Sequence, residues 1–293
     1  MKKFKGSMVA IITPFDESGK VNFQKMEELI EWHIEKGTDG IVVLGTTGEA
    51  ATMSHDENAA VCKFTVEKVA GRVPVIAGSG SNNTSAMLEK SLEYQQLGAD
   101  GLLLISPYYN KANAEGMYRH FKTVADAVNI PCIMYNVPGR TGCSIPEQVV
   151  ARLSEHPNIA GIKEASGDIA YAAKIARYVN DDFAMFSGND DQVLPILSLG
   201  GTGVISVWAN IMPAEVHEMV KAYLEGNHEY ARKLQLNYLS LVNALFMEVN
   251  PIPVKAAMNL MGMNVGGYRL PLYPMSEDNC RKLASVMKEC GLI

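Results

Sequence analysis

The sequence predicts a (β/α)8 barrel, the TIM-barrel architecture, with a C-terminal helical bundle appended. Three observations predict it. Short apolar runs rich in β-forming residues recur eight times, helical patterns separate them, and after the eighth run only helical patterns remain.

The runs are Met8–Ile12, Gly40–Leu44, Pro74–Ala77, Gly101–Ile105, Pro131–Tyr135, Ile159–Ile162, Phe183–Phe186 and Gly203–Val207. Several lack polar alternation, as strands covered on both faces do. Between the first two, Phe23, Met26, Ile30 and Ile34 follow helical spacing, and Gly37 offers a stop. Ser54-His55-Asp56-Glu57 reads as a capping box opening a second helix. Thr84 or Asn83 caps a third, and Pro146 suits the first turn of another. Strands joined through helices by right-handed crossovers close into a parallel barrel. A chain of 293 residues fits one such unit. Beyond Pro213 the patterns are helical, with Pro251 and Pro253 ending one helix and starting the next. The expected division is a barrel over residues 1–224 and a helical region over 225–293. No Ser/Gly-rich linker separates them, so the second packs on the first.

Composition narrows the function classes. Apolar residues make up 47% of the chain, enough for a sizeable core, and a net charge of −6 speaks against nucleic acid as a partner. The five cysteines form no CxxC pair, which argues against a disulfide framework or a thiolate zinc site and suits the cytoplasm. The N-terminus MKKFKGSMVAIITPF starts basic, but its apolar stretch before Thr13 is too short for a signal peptide. No run approaches the ~20 apolar residues of a membrane span. The six histidines form neither HxH nor HExxH, so no metal is expected.

A parallel barrel carries its chemistry at the C-terminal ends of its strands. Lys163 follows the apolar run Ile159–Ile162 directly. An ammonium beside a dry interior loses hydration, which favours the neutral amine that attacks a ketone carbonyl. The bland alternative is a lysine snorkelling outward or paired with Glu164. Tyr135 ends the neighbouring run, where a phenol can move protons for a forming carbinolamine or simply line the wall. Thr46 and Thr47 lie between Gly45 and Gly48, a turn able to aim N–H groups and hydroxyls at a carboxylate, or an ordinary strand-to-helix turn. Arg140, in Pro-Gly-Arg-Thr-Gly, is either a two-pronged carboxylate clamp or an exposed loop arginine. Tyr108 and Tyr109 form an aromatic pair of the kind found at subunit contacts, or pack over the barrel mouth. Gly78-Ser79-Gly80 reads as a tight turn.

The ordered motifs GTTGE, YYNK, YNVPGRTG, GIKEASGD, SGND and GVISV, with NPIPVK in the tail, resemble the dihydrodipicolinate synthase/N-acetylneuraminate lyase family over nearly the whole chain. Within it, Arg140 resembles the synthase branch. The resemblance implies a lyase of the class I aldolase type whose only covalent carrier is a pyruvate imine on Lys163. Tyr135, Thr46 and Tyr109 would form a proton relay, with Tyr109 reaching in from a neighbouring subunit. Thr47, the backbone at Ile205 and Gly188 would frame pyruvate. Arg140 would bind the carboxylate of L-aspartate 4-semialdehyde. The product would serve diaminopimelate and lysine biosynthesis, and the assembly would be a homotetramer.

His55, Asn82 and Tyr108 match a lysine-effector site of the family, but Asn58 and Ala86 depart from its lysine-sensitive pattern. Ala86 lacks a carboxylate for the lysine ammonium, a loss on the order of 2 kcal/mol, so weak lysine inhibition is expected. The rival within the family is an N-acetylneuraminate lyase-like or keto-sugar-acid aldolase, which handles a polyol aldehyde with no carboxylate for Arg140. A keto-acid sensor without turnover and a phosphosugar barrel enzyme are the readings from other classes.

Overall fold

The computed structural model describes residues 4–293. The charged first residues of the N-terminus lie outside that range. Among the described residues, eight parallel strands close a barrel in sequence order: β1 (Gly6–Ala10), β2 (Gly40–Val43), β3 (Val75–Gly78), β4 (Gly101–Ile105), β5 (Cys132–Asn136), β6 (Ile159–Glu164), β7 (Ala184–Ser187) and β8 (Gly203–Ser206). β1 pairs with both β2 and β8, which removes the sheet edges.

Each apolar run contains a strand, with ends that shift by up to two residues. The first strand ends at Ala10 rather than Ile12, because Ile12 N–H leaves the ladder for Asn210 Oδ1 at 3.1 Å. The sixth extends past Ile162, so Lys163 and Glu164 belong to the strand itself. Gly78-Ser79-Gly80 does not turn sharply. Gly78 ends β3, and a Cβ there would fall 2.3 Å from the Leu44 carbonyl oxygen, so glycine serves a close backbone approach.

Strand parity sorts the side chains. Met8, Ala10, Val42, Ile76, Leu103, Ile133, Phe186 and Ile205 fill the barrel interior together with Tyr135. The alternate residues Val9, Ile41, Val43, Leu102, Leu104 and Ile162 face the helices in the larger core.

The barrel helices are α1 (Phe23–Glu35), α2 (His55–Val69), α3 (Thr84–Gln96), α4 (Ala114–Ala127), α5 (Pro138–Thr141), α6 (Glu147–Leu153), α7 (Ile169–Ala176), α8 (Val193–Ser198) and α9 (Pro213–Leu224). Met26, Leu29, Ile30 and His33 make the buried stripe of α1, and Gly37 lies just beyond it at φ +84°. Ser54 and Glu57 form the full capping box of α2. Asn83, not Thr84, caps α3, and Pro146 stands just before α6 rather than in its first turn. The tail contains α10 (His228–Asn237), α11 (Leu239–Ala244), α12 (Ile252–Leu260) and α13 (Glu277–Glu289). Leu241, Leu245, Leu283 and Met287 join the same core as the barrel helices, so the tail is packed on the barrel. No described helix is long and apolar enough to cross a membrane.

Candidate active site

β5 and β6 are paired so that Tyr135 stands beside Lys163. Both have the parity of the barrel interior, and both are buried. Lys163 Nζ sits 4.4 Å from the centre of the Tyr135 ring. Among the described residues, no hydrogen bond or ion pair engages that amine. Glu164, the partner expected on the bland reading, faces the other side of the sheet. Its Oε2 accepts from Asn136 Nδ2 at 2.7 Å, and its Oε1 accepts from Ser166 N–H at 2.7 Å. Burial pushes the Glu164 carboxyl up from its ordinary range, against those hydrogen bonds. Asn136 Oδ1 also accepts from Ile145 N–H at 2.9 Å, so the ends of β5 and β6 are cross-linked one residue beyond the reactive pair.

The amine opens into a cavity at the barrel mouth walled by Thr46, Thr47, Tyr135, Arg140, Gly188, Asn189, Val207, Phe246 and Asn250. Gly188 is required there. A Cβ at that position would lie 2.6 Å from Ala165 Cβ and 2.9 Å from Lys163 Cε. Asp190, two residues on, is fully buried, and its Oδ2 accepts from Val207 N–H at 3.0 Å and Trp208 N–H at 2.9 Å. Burial raises its carboxyl, opposed by Ser206, by those two backbone donors and by the Lys163 charge. Asp190 thereby fixes the chain leaving β8. Ile205 lies deeper, its side chain packed in the barrel interior, and Val207 stands on the cavity wall from this end of the sheet.

The Thr46–Thr47 turn is bracketed by Leu44 at φ 60° and Glu49 at φ 54°, left-handed conformations that cost non-glycine residues about 1–2 kcal/mol each. The fold holds both. Gly78 admits the Leu44 carbonyl, and Glu49 is ion-paired to Lys255 on α12 at 2.7 Å. Thr13 Oγ1 donates to Gly48 O at 2.6 Å, and Lys255 Nζ donates to Thr13 O at 3.1 Å.

Arg140 stands on α5, exposed yet facing the cavity, and its Nη2 donates to Asn250 O at 3.1 Å. Asn250 Nδ2 in turn donates to Thr47 Oγ1 at 2.9 Å. A second, larger cavity of about 310 Å³ adjoins the first through Gly45, Thr46, Leu103, Tyr135, Arg140 and Asn250, and extends to Tyr108, Asn58 and Lys90.

Tyr109 is not brought into the site of its own chain. It is 91% exposed, at φ 68°, on a loop tied down where Asn82 Nδ2 donates to Tyr108 O at 3.1 Å and Asn110 Nδ2 donates to Asn82 O at 2.9 Å. His55, on α2, lies 3.4 Å from Glu93. Asn58 is buried and turns its amide onto Ala50 O and Met53 O.

Sequence reasoning placed Asn136 and Asp190 at strand ends without giving them a role, and it missed Asn250 and Phe246 as site residues. Asn250 and Phe246 come from the tail, which carried no strand-end signal. A lysine amid Ile252, Pro253, Val254, Ala256 and Ala257 was the one sign that the tail reaches a buried acid.

The model of the dihydrodipicolinate synthetase family matches residues 3–290. A 4-hydroxy-tetrahydrodipicolinate synthase of Thermoanaerobacter sp. (strain X514) is 58% identical, covering 100% of this chain and 99% of that protein. A protein of the same name from Clostridium tetani is 55% identical, with 100% of both chains covered. The crystal structure of dihydrodipicolinate synthase from Aquifex aeolicus superposes with a TM-score of 0.96 at 43% identity, covering 99% of each chain. The chain belongs to the dihydrodipicolinate synthetase family.

Proposed function

We propose that this chain condenses pyruvate with L-aspartate 4-semialdehyde to give 4-hydroxy-tetrahydrodipicolinate, for diaminopimelate and lysine biosynthesis. The observation that carries the reading is the unpaired Lys163 amine over Tyr135 in a buried mouth shared with Thr47 and Arg140.

Lys163 Nζ attacks the keto carbon of pyruvate, and water leaves as the imine forms. Loss of a methyl proton gives the enamine, whose carbon attacks the aldehyde. The substrate amine then displaces Lys163 from the imine carbon and closes the ring. Tyr135 and Thr46 pass the protons, joined by Tyr109 from a neighbouring subunit; its exposure suits that role. Thr47, Gly188 and the backbone near Ile205 hold pyruvate, and Arg140 takes the carboxylate of the aldehyde substrate. No cofactor beyond the covalent imine is required.

A polyol aldehyde would leave the guanidinium without a carboxylate, so the sialic-acid-lyase-like alternative is the weaker one. In the same reading the protein is a cytoplasmic homotetramer. Residues 225–293 are a helical region that completes the site through Phe246 and Asn250. His55, Asn82 and Tyr108 form the remnant of a lysine-effector site.

Borohydride reduction in the presence of pyruvate tests the core of the reading. A stable adduct on Lys163 is the expected product, and an unlabelled Lys163 would refute it. Turnover with N-acetylmannosamine instead of aspartate semialdehyde would favour the alternative.

A further inference from the structure

Thr47 Oγ1 has one proton to give and two lone pairs to offer. Asn250 Nδ2 donates to that oxygen at 2.9 Å, which occupies a lone pair and leaves the Thr47 proton free to point elsewhere. Both residues line the Lys163 cavity, and both are buried. Among the described residues, Asn250 Oδ1 is buried without a partner. With the amide reversed, the Thr47 hydroxyl would spend its proton on the Asn250 oxygen and offer a bound keto acid only its lone pairs. A keto acid brings a carboxylate, which accepts and cannot donate.

On the reading of Lys163 and Thr47 as the keto-acid site, we propose that Asn250 is a positioning residue that aims the Thr47 hydroxyl proton at the carboxylate of the bound keto acid. Its backbone oxygen separately holds Arg140 Nη2 at 3.1 Å. A side-chain substitution at 250 leaves that second contact in place. The two substrates should therefore respond differently.

The test uses Asn250→Asp, Asn250→Ala and Thr47→Val in the full chain, singly and combined. A carboxylate at 250 would draw the Thr47 proton to itself and add a charge that repels the substrate. The KM for pyruvate should rise on the order of tenfold or more in Asn250→Asp, and less in Asn250→Ala. In Asn250→Ala, which adds no charge, the KM for the aldehyde should stay within about twofold and kcat should change less than the pyruvate KM. Adding Thr47→Val to Asn250→Asp should cost little further, because the proton in question is already lost. An unchanged pyruvate KM in Asn250→Asp, or fully independent effects of the two sites, would overturn the assignment. If Asn250→Asp does not fold, the same cycle with Asn250→Ala decides by the same criterion. Borohydride labelling of the unaltered chain separates the levels. Labelling with an unmoved pyruvate KM removes only the proton assignment, whereas no labelling removes the keto-acid reading as well.

Discussion

Lys255 Nζ lies 2.7 Å from Glu49 Oε1, and neither side chain has any solvent exposure. The lysine sits on α12 and the acid ends the Gly45–Glu49 turn, so the pair fastens the tail to the loop that carries Thr46 and Thr47. The ammonium also lies 4.4 Å from the centre of the Phe15 ring. Burial pulls Lys255 below its ordinary value, and Glu49 opposes the shift. Lys255→Met leaves the buried Glu49 carboxylate without a counter-ion, with only the Arg269 N–H at 3.4 Å, which should cost roughly 3–5 kcal/mol. Adding Glu49→Gln should recover part of that loss. Denaturant midpoints of the two single variants and the double variant measure it, and additive losses would show that the pair is not coupled.

Tyr135→Phe keeps the ring beside Lys163 and removes only the hydroxyl. Turnover should fall about 100-fold or more, the usual worth of a positioned proton-transfer group. Borohydride trapping should slow without disappearing, and the thermal midpoint should hold. Unchanged turnover would leave Tyr135 as a wall residue.

Gly188→Ala places a methyl 2.9 Å from Lys163 Cε. The lysine must then leave its position over Tyr135. A folded protein with a steep loss of imine formation is the expected result, read by mass after borohydride treatment. Full trapping would mean that Ala165 and Lys163 yield easily.

Tyr109 faces outward, so its role across a subunit boundary can be tested by complementation. Lys163→Ala and Tyr109→Phe should each be impaired alone. Mixed assemblies should regain activity, because some sites then combine an intact Lys163 with a partner's intact tyrosine. Activity in the mixture no higher than the sum of its parts would place Tyr109 outside the relay.

Acid should weaken the fold in two windows. His33 is fully buried, and burial holds its imidazole down to about 3. The unfolded chain takes up a proton below about pH 6.5 that the folded chain refuses. Stability therefore falls as pH drops from about 6.5 toward the folded value, by up to about 1.4 kcal/mol per pH unit. Glu57 is held at about 2 by its hydrogen bonds with Arg269 and the Ser54 backbone. Its contribution is complete above the ordinary carboxylate range and is lost as pH falls through the folded value. His33→Leu should flatten the stability curve between about pH 6 and 4, and Glu57→Gln should flatten it only below that. Denaturation at a series of pH values reads both slopes. Identical slopes in His33→Leu and the parent would remove the histidine from the account.

Lysine inhibition should be weak. Asn58 spends its amide on Ala50 O and Met53 O, and Ala86 carries no charge. Half-inhibition at micromolar lysine would contradict this.

The barrel was legible in the chain because hydrophobic period is local. Runs such as Gly101–Ile105 show no alternation since both faces of a barrel strand are covered. Strand ends also marked Lys163, Tyr135, Thr46 and Arg140, because parallel topology sends chemistry to one rim. Local pattern could not say that Glu164 turns away to Asn136, or that Tyr109 faces out of its own chain. It could not say that Asn250, some 200 positions from Thr47, completes the mouth. Those outcomes depend on strand register and on where the tail docks. Both are set by packing between segments distant in sequence, and no window along the chain contains both partners.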